Sequence, residues 1–268
     1  MIAYQGEKKR SLEERAQKLS AHYQRVGIKA VWLGECASTM AEAKRHYLLS
    51  GGSPVIVVSD IQTAGRGRRE NEWVSDYGNL HYTAVLPMPG EISKIAGYSL
   101  LIGIALADFF RSCGVSVQLK WPNDILCSGK KVGGILLETL HDRTLGILPG
   151  VLVGIGVNLC SAPDGIPMAG VLTHGQVLAS DMFRTILEIS DRVLRYSVEF
   201  QREGFRSFVA RYLEFACYRN EVVVASVTDD EIVGVYTGIG NDGALQLQTE
   251  NGLIELYSVN SLRPIRSF

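Results

Sequence analysis

The sequence predicts an α+β protein, with helices and strands intermixed up to about residue 217 and a short all-β segment after it. Three observations carry this. Apolar strand-like runs at 54–58 and 151–159 are separated by stretches with helical periodicity. Residues 98–106 are apolar nearly all round, as expected of a buried helix. From Glu221 onward the pattern turns to short β-runs, broken by Gly-Asn-Asp-Gly at 240–243 and Glu-Asn-Gly at 250–252, which are hairpin turns.

Taken in order, Ser11-Leu12-Glu13-Glu14 fits a capping box, with Ser11 as N-cap and Glu14 three residues on, so a helix is expected to about Arg25. Residues 30–33 read as a first strand. Ser38 or Thr39 then either caps a helix from about Met40 to Leu49 or turns its hydroxyl toward a pocket. The strand at 54–58 runs into a turn-rich stretch, 59–64. A strand at 79–86 and a helix within 91–113 follow, then a short strand at 115–120. Residues 121–126 and 131–138 read as a hairpin bracketed by Lys120, Asn123, Asp124 and Lys131. Gly133 and Gly134 would weaken a strand unless a ligand ring or another chain's backbone must approach closely. The strand at 151–159 repeats the device and ends on Asn158. Residues 181–214 are expected to be helical and broken at Gly204. Strands at 222–227, 231–239, 244–248 and 253–257 make a small antiparallel barrel of about fifty residues.

The chain of 268 residues has room for one large domain and a small one. With 46% apolar and 21% charged residues it has an ordinary globular composition, and a net charge of −1 gives no general pull toward nucleic acid or anionic membrane. Neither a membrane span nor a signal-peptide core is visible, so a cytoplasmic location is expected. The five cysteines are scattered without a CxxC pair, which favours reduced thiols over a disulfide frame or a zinc site.

The stretch with most chemistry in it is Gly65-Arg66-Gly67-Arg68-Arg69-Glu70-Asn71-Glu72-Trp73. Glycines let the backbone approach a ligand, three guanidinium groups converge on an anion, and Trp73 offers a flat face. The same run also fits a solvated turn or an RNA-binding segment. It is not a P-loop, because GxxxxGK[ST] is absent from the chain.

Together, GRGRR…W at 65–73, KWPNDI at 120–125, KVGGILLE at 131–138, GIGVNL at 154–159 and GIGNDGALQLQ at 238–248 resemble the biotin–protein ligases. The resemblance implies a mixed β-sheet flanked by helices, related to class II tRNA synthetases, in a catalytic domain at 1–217 whose residues 1–29 are a helical extension. It also implies an SH3-like domain at 218–268. The implied activity is ATP-dependent: biotin and ATP give biotinyl-5′-AMP, and biotin then passes to a lysine of a carboxylase's biotin carboxyl carrier domain. By resemblance Lys131, Arg66, Arg68 and Asp124 are catalytic, Lys131 bridging the biotin carboxylate and the α-phosphate. Asp124 would orient the incoming lysine, although a turn-stabilising aspartate reads almost as well. Biotin would be met by Ser38, Thr39, Gln62, Arg66, Gly67, Arg68, Lys131, Gly133, Gly134, Ile135 and Leu136. ATP would be met by Arg66, Arg68, Arg69, Trp73, Asn123, Lys131 and Asn158. Mg²⁺ would accompany ATP, with no metal position fixed by protein side chains. The loop is expected to be mobile and to close over the adenylate. A homodimer through sheet edges is common in such proteins, though no residue pattern here fixes it.

Three departures from the family pattern stand out. Met40 takes the place of an asparagine after the Ser-Thr pair. Glu70 and Glu72 lower the loop's charge, which is expected to loosen its hold on an adenylate. Only about thirty residues precede the first strand, too few for a winged helix-turn-helix, so a ligase without repressor activity and without a nucleic-acid partner is expected. A lipoate–protein ligase and a non-catalytic biotin sensor are the rival readings. Retention of Lys131 and all three loop arginines weighs against the sensor.

Overall fold

A parallel pair of strands needs a crossover, and α2 (Thr39–Leu49) supplies it between β1 (Lys29–Cys36) and β2 (Val55–Gln62). The computed structural model describes residues 2–88, 95–140, 150–228 and 230–265, the side chains of 2–10 and 70 excepted. The sheet continues antiparallel through β3 (Leu80–Pro87), β7 (Gly150–Val157) and β6 (Lys130–Leu140). With β4 (Gln118–Lys120) and β5 (Asp124–Cys127) it is a seven-stranded mixed sheet in the order β1-β2-β3-β7-β6-β5-β4. A second, five-stranded antiparallel sheet has the order β11-β10-β9-β8-β12. Its strands are β8 (Val222–Val227), β9 (Asp230–Ile239), β10 (Leu245–Thr249), β11 (Gly252–Leu256) and β12 (Ser261–Pro264).

Two compact units result, one of residues 1–90 and 132–187, the other of 91–131 and 188–268. In the first, α1 (Ile2–Gln24) packs along β1 and α2 lies over β2, β3 and β7. Met40, Ala43 and Tyr47 of α2 fill an apolar layer with Val55, Val57, Val85 and Leu152. Burying such side chains stabilises by about 1.5–3 kcal/mol each, and α2 is thereby held rigidly over the strands. In the second unit, α3 (Tyr98–Ser112) is buried along most of its length, as its all-round apolar sequence demands. Helices α5 (Met182–Glu203) and α6 (Val209–Phe215) are separated at Gly204, whose φ of 70° breaks the chain where expected. Between the two long helical stretches of the sequence, α4 (Gly175–Ser180) adds a short turn of helix.

Four sequence expectations change, the first being that the stretch at 59–64 read as turn-rich is strand as far as Gln62, where β2 ends. Ser11 is not an N-cap: α1 begins at Ile2, and the carbonyl of Ser11 accepts a bond from Arg15 Nε inside it. A favourable local signal was overridden by helix continuing upstream. The strand expected at 115–120 is paired only from Gln118. The second sheet has a fifth strand, β12, which the sequence hid because it is only four residues long and ends on Pro264; as the edge strand next to β8 it tolerates proline. The start of the helix expected at 91–113 lies outside the described residues over 91–94, as does the Glu70 side chain.

Candidate active site

The first unit gathers polar groups where α2 begins. The crossover places Thr39 above the end of β2, so Gln62 Oε1 accepts bonds from both Thr39 N (2.8 Å) and Thr39 Oγ1 (3.0 Å). Thr83 Oγ1 on β3 donates to Thr39 Oγ1 at 2.9 Å, and Gln62 Nε2 donates to Ser75 Oγ at 2.9 Å. Ser38 is the helix's N-cap by position but makes no side-chain cap bond; its Oγ is buried with no partner among the described residues. An unspent buried hydroxyl costs free energy unless something bonds it, so the pocket-facing reading of Ser38 gains over the capping one.

The arginine loop folds back on itself. Gly67 N donates to Asn71 O, Trp73 N donates to Gly65 O, and Arg66 forms a bridge with Glu72. Gly65 is there because nothing larger fits: a Cβ would lie 2.4 Å from Trp73 O. Arg69 adopts a left-handed conformation (φ 56°, ψ 43°), which costs a non-glycine residue about 1 kcal/mol or more. Arg66 Nη2 reaches across to Glu138 Oε1 at 3.0 Å on β6. Trp73 lies on Gly156 of β7, where a Cβ would come within 2.4 Å of the indole. Gly156 pairs with Gly134, and Leu136 pairs with Gly154, on which the Met40 sulfur rests. The paired glycines therefore open a flat backbone floor, and Met40 is a core residue filling the step beside it. After β7, Asn158 donates from Nδ2 to Gly170 O (3.1 Å), which gives its amide a loop-holding task.

In the second unit, β5 brings Asp124 to the end of its hairpin with β4. Asp124 Oδ1 binds Lys131 Nζ at 2.6 Å and Oδ2 lies 3.9 Å from Lys120 Nζ. The short bond to the carboxylate holds the Lys131 head, while Lys120 stands at ion-pair distance only; Lys131 stays partly exposed, so its charge remains available to a ligand. Asn123 stands just before this aspartate in the turn. Lys131 is the second residue of β6, which next presents Gly133, Gly134, Ile135 and Leu136.

Residues that sequence reasoning missed are Thr83, Ser75, Glu138 and Asn79. Asn79 Oδ1 accepts from the consecutive backbone nitrogens of Leu159, Cys160 and Ser161 (2.9, 2.9 and 3.2 Å), clamping the loop after β7. Only Glu138 carried a signal, since it closes the KVGGILLE run. Nearby, His81 is buried; its Nε2–H donates to Asp76 O (3.1 Å), leaving Nδ1 without a partner among the described residues, and burial pushes its pKa down.

Within the first unit, arginines on a glycine loop beside a glycine-floored sheet suit a ligand with an anionic head and a flat body. Family comparison narrows that class. The biotin/lipoate A/B protein ligase family matches residues 21–158, and the biotin protein ligase C-terminal domain matches 220–265. The biotin–[acetyl-CoA-carboxylase] ligase of Paracoccus denitrificans is 34% identical over 234 residues, 82% of this chain and 94% of that protein. The bifunctional ligase/repressor BirA of Escherichia coli K12 is 31% identical over 203 residues, covering 74% of this chain and 62% of BirA, less than two thirds of its length. The biotin protein ligase of Aquifex aeolicus, solved in complex with biotin and ATP, has a TM-score of 0.75 at 28% identity, over 88% of this chain and 99% of that one. The chain belongs to the biotin/lipoate A/B protein ligase family.

Proposed function

We infer that this protein is an ATP-dependent biotin–protein ligase. The observation that carries the reading is β6, a single strand that carries the Asp124-bound Lys131 and continues through the glycine floor. Beside it stands the match to a biotin–[acetyl-CoA-carboxylase] ligase across most of both chains.

In the first half-reaction a biotin carboxylate oxygen attacks the α-phosphorus of ATP, and the bond to the β-phosphate oxygen breaks to release pyrophosphate. Two anions must meet, so fixed cations lower the barrier. Lys131 takes the charge shared by the carboxylate and α-phosphate, Arg66 and Arg68 hold the adenylate, and Arg69 adds to the phosphates. Ser38 Oγ is the donor left for the biotin ring, with Thr39 and Gln62 shaping the wall through the bonds described. Gly133 to Leu136 and Gly67 present backbone. Trp73 covers the nucleotide, and Asn123 and Asn158 lie toward adenine. Mg²⁺ bound to the triphosphate would offset part of its charge; the described residues bring no three His, Cys, Asp or Glu side chains together around a metal position.

In the second half-reaction the carrier-domain lysine attacks the biotinyl carbonyl, the bond to AMP breaks, and Asp124 orients the amine. Closure of the arginine loop protects the mixed anhydride from water. The reading takes 1–217 as the catalytic domain, 218–268 as an SH3-like domain, the cytoplasm as the location and a sheet-edge homodimer as the assembly to test by sedimentation. Among the described residues no helix is long and apolar enough to cross a membrane.

Biotin-dependent ATP–pyrophosphate exchange tests the first half-reaction, with lipoate as control. The expected result is exchange with biotin only, reduced by roughly 100-fold or more in Lys131→Ala. Exchange with lipoate instead would move the substrate assignment, and full activity in Lys131→Ala would sink the role given to that lysine.

A further inference from the structure

We propose that Glu138 is an internal competitor for Arg66, a protein carboxylate that occupies the guanidinium which the ligand's anionic group must recruit. The proposal rests on the reading of Arg66 as an adenylate-binding residue. Three observations support it.

Arg66 Nη2 lies 3.0 Å from Glu138 Oε1, so the arginine is already paired with an anion. Glu138 shares its strand face with Gly134 and Leu136, since strand side chains alternate and these positions are two residues apart. Opposite them, Trp73 rests on Gly156 and Met40 on Gly154. The ion pair therefore fastens the arginine loop to the far end of the same glycine-floored face on which a ligand would lie. Finally, both side chains are about half exposed, 52% for Arg66 and 37% for Glu138. A pair this wet is weak and exchangeable. A phosphate oxygen with more charge displaces it, whereas a neutral molecule does not.

The consequence is faster release. Holding the loop by a weak pair lowers affinity for every anionic ligand by the same factor and shortens the residence time of a bound adenylate.

The test pairs a ligand-free measurement with a binding measurement. Limited trypsin digestion without ligand reads the latch: Glu138→Gln is expected to speed cleavage after Arg66, Arg68 and Arg69. Calorimetry with a non-hydrolysable biotinyl-adenylate analogue reads the competition. Glu138→Gln is expected to bind about two- to fivefold more tightly than native protein at low salt, the gain expected for freeing an exposed ion-pair partner. That gain should shrink at high salt and vanish in an Arg66→Gln background. Equal or weaker binding by Glu138→Gln would show that Glu138 positions Arg66 for the ligand and would overturn the proposal. Unchanged cleavage would overturn the latch while leaving the functional reading intact. If native protein and variant both fail to bind the analogue, the functional reading falls and the competition falls with it, even where the cleavage rates differ.

Discussion

Thr39 is the residue on which the first unit's polar wall converges. Its Oγ1 donates to Gln62 and accepts from Thr83, so both its hydrogen and a lone pair are in use. Valine there keeps shape and removes both bonds, leaving the buried Thr83 hydroxyl without its acceptor. A loss of about 1–3 kcal/mol is expected, the usual cost of a buried orphan, with Thr39→Ser recovering most of it. Urea denaturation of the three proteins checks this; a Thr39→Val midpoint equal to native would mean the network is not coupled to folding. Gly156 makes a second case. A methyl there falls 2.4 Å from the Trp73 indole, so Gly156→Ala must push the ring off the floor. The expected signs are a changed near-ultraviolet dichroism from Trp73 and a stability loss of about 1–3 kcal/mol from overpacking. An unchanged spectrum would show that Trp73 does not sit where the contact puts it.

At the scale of elements, β3 carries a pH dependence. Desolvation of the buried His81 ring disfavours its charged form and outweighs the bond from Nε2–H to Asp76 O, which favours it. Its folded pKa lies below the ordinary 6.5, so the unfolded chain binds a proton first as pH falls. The stability it contributes is therefore complete above about 6.5 and is lost as pH drops from there through the lower folded value. Denaturation midpoints at pH 7.5 and 5 should differ less in His81→Gln than in native protein; an identical difference would remove His81 as a source. Of the elements themselves, those with strong periodicity were legible: α2, α3, the break at Gly204 and four of the five strands of the second sheet all stand close to where pattern alone placed them. What could not be read depended on tertiary register. Thr83 meets Thr39, and Arg66 meets Glu138, only because a crossover and an antiparallel pairing bring distant positions together. Within the site, Lys131 and Asp124 were legible as polar groups bracketing a hairpin but their ion pair was not, and Asn79's clamp on 159–161 spans eighty residues and leaves no local trace.

For the molecule as a whole, the last fifty residues look separable by composition, yet the second unit couples them to segments far earlier in the chain. Trp121 Nε1 donates to Gly243 O at 2.9 Å in a buried position, and a Cβ on Gly243 would lie 2.7 Å from Gly97 Cα at the start of α3. Residues 91–131 and 188–268 thus share one compact unit although the sheet strand β8 begins only at Val222. Removing 218–268 would uncover Trp121 and Leu100, both almost wholly buried, and leave the indole N–H without its acceptor. The expected outcome is that a chain ending at Cys217 unfolds at a lower temperature than the full chain and over a broader transition, rather than behaving as an intact domain. Trp121→Phe probes the same seam without truncation: it keeps the ring, drops the donor and should cost about 1–3 kcal/mol through the unpaired Gly243 carbonyl. A single scanning-calorimetry transition that shifts down in Trp121→Phe would place the seam inside one cooperative unit. Two transitions, of which the substitution moves neither, would show that the C-terminal sheet folds independently of α3.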